Sequence, residues 1–459
     1  MKDIMDTIAA ISTPPGYGGI GVIRVSGPLV ISIVIPVILG KILEPRKAEY
    51  LLFKDKHGEI LDKGIALFFP SPNSFTGEDV LELQGHGSPV VLDEILKNII
   101  SFSGIRIAKP GEFSERAFLN KKLDLVQAES IIDLIYSESI QFARLAIRSV
   151  QGVFSSNICD LVQELLEIRT CLEGKINFPS ENITECFKND IKFRLENILD
   201  NFNKLFIKAK KGNVFQEGIK IVISGEPNVG KSSLLNLLTN NETAIVTSIA
   251  GTTRDVLRSR IDINGIPCSL IDTAGLCDDI DNEIDRISIQ RSFYEILNSD
   301  IILFVVDSRV IKLSELDISK IKFFFHIPKN IPVIIVRNKS DLTGELPEIH
   351  NKFNNFFVTV SAKLNHGISL IEKLLKNIVL DHFGNFVSGK FLVRRRHLDA
   401  LHSSKKHIIR CKKYLKNGYF DEVISEELYL AQKSLSEITG QYSSDDLIRK
   451  IFSNFCIGK

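Results

Sequence analysis

The stretch Gly225-Glu226-Pro227-Asn228-Val229-Gly230-Lys231-Ser232-Ser233 constrains this chain more than any other. It fits the phosphate-binding pattern G-x-x-x-x-G-K-[ST]. Glycines let the backbone curl so that successive N–H groups face one anion. Lys231 brings a mobile positive charge for the outer phosphates, and the Ser232 hydroxyl suits a Mg²⁺ ion. Ile219-Lys220-Ile221-Val222-Ile223 predicts a buried strand before the loop, and Ser233–Leu238 predicts the helix after it, offering its positive end to the anion. Strand, phosphate loop and helix together commit this region to an α/β sheet.

Further segments, in a fixed order, point to a guanine nucleotide. Asp272-Thr273-Ala274-Gly275 supplies a carboxylate for the Mg²⁺ shell and a glycine N–H for the γ-phosphate. Asn338-Lys339-Ser340-Asp341 follows another expected strand. The Asp341 carboxylate matches the paired N1–H and 2-amino donors of guanine; adenine lacks them and would leave that carboxylate unpaired. Ser361-Ala362-Lys363 is placed for the base oxygen. Gly251-Thr252-Thr253-Arg254-Asp255 offers Thr253 as a second Mg²⁺ hydroxyl in a switch segment. The glutamine that orients the attacking water in Ras-like enzymes is absent: Leu276 stands there. The acidic run Asp278–Asp285 is the nearest other source.

At 459 residues the chain has room for two to four domains. Its 44% hydrophobic and 25% charged content describes a soluble globular protein, and a net charge of +1 excludes a global field for nucleic acid. Any RNA contact is therefore expected from a local patch. The start, Met1–Asp6, does not read as a signal peptide. The most apolar stretch, Leu29–Leu39, is broken by Pro36 and too short to span a bilayer, so a buried element is expected. Seven cysteines (159, 171, 186, 268, 277, 411, 456) form no C-x-x-C pair, which favours thiols in a reducing cytoplasm over disulfides or zinc.

Residues 1 to about 120 read as an α+β domain. Strands are expected at Ile20–Val25, Ile65–Phe69 and Asp79–Gln84, and a helix over Val90–Ile100. Gly16-Tyr17-Gly18-Gly19-Ile20-Gly21 fits the dinucleotide fingerprint G-x-G-x-x-G, but Pro14-Pro15 precedes it and a strand follows it, so a glycine-rich turn into a strand is expected. From Asp124 to about Lys211 the pattern is helical. Ile131, Ile132, Leu134, Ile135, Leu145 and Ile147 fall at helix-face spacings, and Leu161, Leu165, Ile168 and Leu172 continue them. Phe178-Pro179-Ser180 breaks the run, and Lys208-Ala209-Lys210-Lys211-Gly212 reads as the end of a second helix. Residues 218 to about 382 alternate strand and helix, with strands at Ile219–Ile223, Ser269–Ile271, Ile301–Val306, Ile331–Val336 and Phe356–Val360. This is a parallel sheet wrapped by helices. Beyond Phe391 the chain is helical again. Arg394-Arg395-Arg396-His397 opens that region, as a solvated helix start or as an RNA contact.

At this point the chain resembles the MnmE (TrmE) family of tRNA-modification GTPases over essentially its whole length. The residues that carry the resemblance are Asp6-Thr7-Ile8, Thr13-Pro14-Pro15-Gly16, the run Asn73–Gly87, the run Pro110–Asn120 and the ending Phe455-Cys456-Ile457-Gly458-Lys459. The resemblance implies a multidomain fold, α+β and α/β: an α+β folate-binding and dimerising N-domain (1–120), an all-α helical domain in two parts (121–217 and 383–459), and an inserted Ras-like P-loop G domain with a mostly parallel sheet (218–382). It implies a homodimer that joins the FAD-dependent MnmG in a heterotetramer. That pair places an aminomethyl or carboxymethylaminomethyl group on C5 of the wobble uridine of certain tRNAs, with a methylene-tetrahydrofolate supplying one carbon.

Carried over residue by residue, folate binding falls on Arg24, Glu82, Lys122 and Lys459. The switch segment is Thr247-Ser248-Ile249-Ala250-Gly251-Thr252-Thr253. K⁺ replaces an arginine finger, held by Asn228, Thr252 and the backbone oxygens of Thr247 and Ile249. The water-orienting glutamate of the family aligns with Asp285, one methylene shorter. Tyr17, Asn177 and Cys277 also depart from the family pattern. Cys456 is either a reactive thiol near the modification chemistry or a structural one; Gly458 and Lys459 do not fit a lipidation signal. Two other readings stand beside the enzyme: a ribosome-assembly GTPase that binds rRNA, and a non-catalytic folate-binding scaffold. Intact Lys231, Ser232, Thr253 and Asp272 speak against the scaffold.

Overall fold

The computed structural model describes residues 6–137, 139–177, 185–240, 258–263, 266–272, 294–310, 331–352, 355–383, 391–417, 421–442, 445–453, 455–456 and 458. The chain forms two compact units, Met1–Ile135 with Ser149–Phe202 and Asp399–Lys459, and Tyr136–Arg148 with Asn203–Leu398.

In the first unit six strands make one sheet: β1 (Thr7–Ile11), β2 (Gly18–Ser26), β3 (Glu49–Lys54), β4 (Ile60–Phe69), β5 (Val80–Gly87) and β6 (Ile105–Ile107), in the order β3-β4-β5-β2-β1-β6. All pairings are antiparallel except β1 with β6. The helix Pro89–Ile100 buries Leu92, Ile95, Leu96 and Ile99, a stripe at helical spacing, in a core with Ile23, Val25, Phe53 and Leu83. The expected strands and helix are present. The glycine-rich run enters β2 as expected, and a Cβ on Gly21 would lie 2.4 Å from the Leu92 side chain, so close packing favours glycine there. Leu29–Leu39 is a short π-turn (Val30–Val34) running into the helix Ile35–Leu39, with five of its apolar side chains buried. No described helix is long and apolar enough to cross a membrane.

The segments that carried the family resemblance meet in a charged network beneath this sheet. Arg116 is fully buried on the helix Glu112–Leu119. It pairs with Asp6 (2.8 Å), Glu78 (3.1 Å) and Glu112 (3.4 Å). Arg106 joins from β6, to Asp6 Oδ2 at 2.6 Å and to both oxygens of Glu112. Burial alone raises Asp6 and Glu112, but hydrogen bonds and charge from the two arginines outweigh it and hold both below the usual carboxylate range.

Further along, Val153–Asn177 buries Phe154, Ile158, Leu161, Leu165, Ile168 and Leu172, alternately four and three residues apart. Asp421–Thr439 faces it with Leu428, Ala431, Leu435 and Ile438, and Arg169–Gln432 (2.9 Å) and Lys175–Asp421 (2.7 Å) flank the seam. Two expectations here need correction. Ile135 is exposed because the helix Leu125–Ile135 buries Leu125, Val126, Ala128 and a polar side instead, and Ile147 is exposed on the helix Ile140–Val150, which buries Leu145 and Ala146. The helix Glu185–Glu217 also does not end at Lys208–Gly212. It runs on to Gly218, whose φ of 74° terminates it. Gly212 sits inside that helix because a Cβ there would lie 2.3 Å from the Phe391 carbonyl. Phe178-Pro179-Ser180 lies outside the described residues.

The second unit is built on a seven-stranded sheet: β7 (Ile219–Gly225), β8 (Arg258–Ile263), β9 (Ile266–Asp272), β10 (Ile301–Asp307), β11 (Val333–Asn338), β12 (Ile349–Lys352) and β13 (Asn355–Thr359), ordered β12-β13-β11-β10-β7-β9-β8. The five inner strands are parallel and nearly continuously buried, as strands covered on both faces must be. The edges β8 and β12 are antiparallel additions that the expected strand set lacked.

Candidate nucleotide-binding site

Parallel strands end on one edge, and an open α/β sheet binds its ligand there. On this edge β7 ends at Gly225, β9 at Asp272, β10 at Asp307 and β11 at Asn338. The loop from β7 into the helix Lys231–Asn240 is left-handed at Asn228 (φ 61°) and Gly230 (φ 97°). A Cβ on Gly225 would lie 2.2 Å from Val305 O, and one on Gly230 2.3 Å from Asn338 Nδ2. Lys231 is buried, and its Nζ donates to the carbonyls of Gly225 (3.1 Å) and Glu226 (2.8 Å). Val229 is buried beside it, and Ser233 is exposed on the first helical turn.

Ser232 Oγ donates to Asp272 Oδ2 at 2.7 Å, so the loop hydroxyl and the D-x-x-G carboxylate meet as expected. Asp272 Oδ1 is buried with no hydrogen-bond partner among the described residues. Such an oxygen costs ~1–3 kcal/mol unless something takes it. Two hard oxygens side by side, one of them unsatisfied, fit Mg²⁺.

At the base end one buried amide ties three motifs together. Asn338 Nδ2 donates to Val229 O (2.8 Å), and Asn338 Oδ1 accepts the Ala362 N–H (2.9 Å). Ser340 N–H donates to Val360 O (3.1 Å), and Ser361 Oγ donates to Asp341 Oδ1 (2.6 Å), which fixes the carboxylate's orientation. Lys363 is exposed. Lys339 has a left-handed backbone (φ 66°), and its Nζ reaches Asp307 Oδ2 at 3.0 Å. Asp307 also accepts Arg309 Nη2 (2.7 Å), Nε (3.1 Å) and N–H (3.0 Å). Hydrogen bonds from Arg309 and then Lys339 hold its carboxyl well below the usual range. Sequence reading missed Asp307. Its one signal is a carboxylate closing the wholly apolar strand Ile301–Val306.

Thr247, Ser248, Ile249, Ala250, Gly251, Thr252, Thr253, Thr273, Ala274, Gly275 and Asp285 lie outside the described residues, as does Lys459. Of the expected K⁺ ligands, Asn228 alone is described.

On the first unit's sheet, Arg24 of β2 and Glu82 of β5 stand opposite in register and pair, Nη2 at 2.8 Å and Nε at 3.0 Å, both to Oε1. The guanidinium lies 5.3 Å from the Phe75 ring centroid and 5.8 Å from that of Phe113. Glu82 Oε2 makes no hydrogen bond among the described residues. Lys122 is exposed. Cys456 is exposed too, and its carbonyl accepts the Gly111 N–H (3.4 Å), while Gly458 O accepts Ser12 Oγ (3.2 Å). The tail therefore lies against the end of β1 and the start of the helix Glu112–Leu119.

A phosphate loop, a serine–aspartate cation pair and a braced N-K-x-D carboxylate on the carboxyl edge of a parallel sheet define a P-loop nucleotide-binding protein of the guanine-selective kind. The comparisons narrow the class. The profile described as "MnmE helical domain" matches residues 125–456, and that of "GTP-binding protein TrmE N-terminus" matches residues 7–122. The protein named tRNA modification GTPase MnmE from Baumannia cicadellinicola is 52% identical over 462 residues, covering 100% of both chains. Those of the same name from Sodalis glossinidius and Proteus mirabilis are each 50% identical over 454 residues, covering 99% of both. The chain belongs to the MnmE family of tRNA modification GTPases.

Proposed function

We propose that this chain is a K⁺-dependent GTPase of tRNA wobble-uridine modification. In this reading it acts with the FAD-dependent MnmG to add an aminomethyl or carboxymethylaminomethyl group to C5 of that uridine. A methylene-tetrahydrofolate provides the carbon. The observation that carries the nucleotide half is the Ser232–Asp272 pair beside a loop whose lysine is held by its own carbonyls. Asp341, oriented by Ser361, is read as the guanine selector, and Asn338 as the brace that joins loop and base site. Ser232 and Thr253, with Asp272, would hold Mg²⁺, which when bound neutralises phosphate charge. Asn228, Thr252 and the carbonyls of Thr247 and Ile249 are assigned to K⁺. Asp285 is assigned to orienting water. Arg24, Glu82, Lys122 and Lys459 are assigned to folate; the Arg24–Glu82 pair supports this with one carboxylate oxygen that makes no hydrogen bond among the described residues. Cys456 is assigned to the modification chemistry. The domain division 1–120, 121–217, 218–382 and 383–459, the cytoplasmic location, the homodimer and the heterotetramer belong to the same reading.

The test is GTP turnover by the purified chain in K⁺ and in Na⁺, then tRNA modification reconstituted with the flavoprotein, folate and GTP. Turnover at least about tenfold faster in K⁺, consistent with one added transition-state charge contact, is expected. It should be lost in Asp285→Ala. Equal rates in the two salts, or an Asp285→Ala variant as fast as the parent, would overturn the respective assignments.

A further inference from the structure

The N-K-x-D motif names Lys339, but nothing in the motif says what holds a four-carbon lysine stem in place. The structure supplies a holder from a different strand. Asp307 and Asn338 are register partners at the ends of β10 and β11, and the Ser308 N–H donates to Asn338 O at 2.9 Å. The two strand ends are thus locked side by side. From that platform the largely buried Asp307 carboxylate takes Lys339 Nζ on Oδ2. Arg309 takes the remaining positions, with Nη2 on Oδ2 and both Nε and the backbone N–H on Oδ1. One carboxylate between two cations leaves a net positive charge, so the clamp does not repel an anionic nucleotide.

We propose that Asp307 is a positioning residue for the nucleotide site, acting through Lys339. The inference rests on the guanine-nucleotide reading above. Lys339 has its backbone fixed left-handed by the turn that follows β11, but its side chain keeps four rotatable bonds. The ion pair at 3.0 Å ties the far end of that stem to β10. With both ends fixed, the stem is held in one conformation two residues from Asp341, where it serves in this proposal as a wall of the base site. A ligand then binds a site whose wall is already built, and its apparent affinity is not reduced by the fraction of time the lysine points elsewhere. Arg309, half exposed, keeps the carboxylate ionised and aimed, and does not itself reach Lys339.

The test uses the full chain and GDP as the probe, with affinity, kcat and KM each measured. Asp307→Asn preserves the shape and an acceptor for the Arg309 N–H while removing the charge. It is expected to weaken GDP binding about five- to twentyfold and raise KM for GTP similarly, with kcat at saturation within about twofold. In a Lys339→Ala background the same substitution is expected to cost no further affinity, since the residue it acts through is gone. Asp307→Glu should restore part of the loss. A residue that merely stabilised the strand end would instead lower the amount of active protein without moving KM, and its effect would persist in Lys339→Ala. Either result overturns the inference, as does unchanged GDP affinity in Asp307→Asn. A parent chain that binds no guanine nucleotide would instead sink the underlying reading and, with it, this one.

Discussion

Gly230 shows how much one missing side chain decides. Its φ of 97° is a region an alanine reaches only at ~1–2 kcal/mol, from the clash of Cβ with the neighbouring carbonyl. A Cβ there would also sit 2.3 Å from Asn338 Nδ2 and push it off Val229 O. Losing that buried hydrogen bond costs a further ~1–3 kcal/mol. A free loop can relax away from both penalties while a loop closed on phosphate cannot, so Gly230→Ala should weaken GDP at least about 30-fold, a factor of ten per 1.4 kcal/mol. Isothermal titration checks it. Gly58→Ala is the control. Its φ is also positive, at 90°, but nothing lies within 4 Å of the added carbon, so GDP binding should be unchanged. The motif named Gly230 for its backbone freedom, but Asn338, 108 positions later in the chain (338 minus 230), supplies the second reason.

The same contrast holds for whole elements. Inner strands were legible because a parallel strand buried on both faces is an apolar run, as in Ile301–Val306. Edge strands were not, because they are short and half polar. β8 reads Arg-Ser-Arg-Ile-Asp-Ile, and its one clear cue is the Asn264-Gly265 pair between it and β9, a two-residue hairpin sequence. The guanine and phosphate motifs were legible because their chemistry lies in consecutive residues. Asp307 was not, since its partner Lys339 is distant in sequence and no spacing rule links them. Gly212 misled for a related reason. Four residues rich in lysine followed by glycine describe a helix end in isolation, yet a neighbouring carbonyl dictated glycine within the helix. Gly212→Ala tests whether that close approach dictates the glycine. Inside a helix facing open space the change would stabilise by ~0.5–1 kcal/mol through helix propensity. With Phe391 O 2.3 Å from the new carbon, overpacking of ~1–3 kcal/mol wins. A lowered melting temperature is expected; a raised one would mean the helix and the segment at Phe391 part easily.

Over the whole first unit, carboxylates from segments up to 110 positions apart converge on Arg116. It joins Asp6, Glu78 and Glu112, and no local pattern in the sequence could have announced that convergence. Removing it alone is costly, because three carboxylates would face one another with Arg106 as the remaining arginine among the described residues of that network. Breaking a buried pair in this way costs ~3–5 kcal/mol. Arg116→Met should therefore sharply reduce amide-exchange protection in β1, β2 and β6 at pH 7. The pH dependence distinguishes charge from packing. Asp6 and Glu112 are held below their ordinary values of 3.8 and 4.5, so their contribution to the parent is complete above those values and fades as pH falls through the lower folded-state ones. Glu115 and Asp124 oppose this in part, since burial raises them and their ionisation disfavours the fold. Asp124 acts in parent and variant alike, whereas Glu115 loses the lowering influence of Arg116 in the variant and so also protonates earlier there. In Arg116→Met, Asp6 and Glu112 lose a cation and titrate higher, so they protonate earlier on acidification. The stability gap between parent and variant should accordingly narrow from pH 7 towards pH 4. A gap that stays constant across that range would mean Arg116 matters for the space it fills and not for the charge it carries.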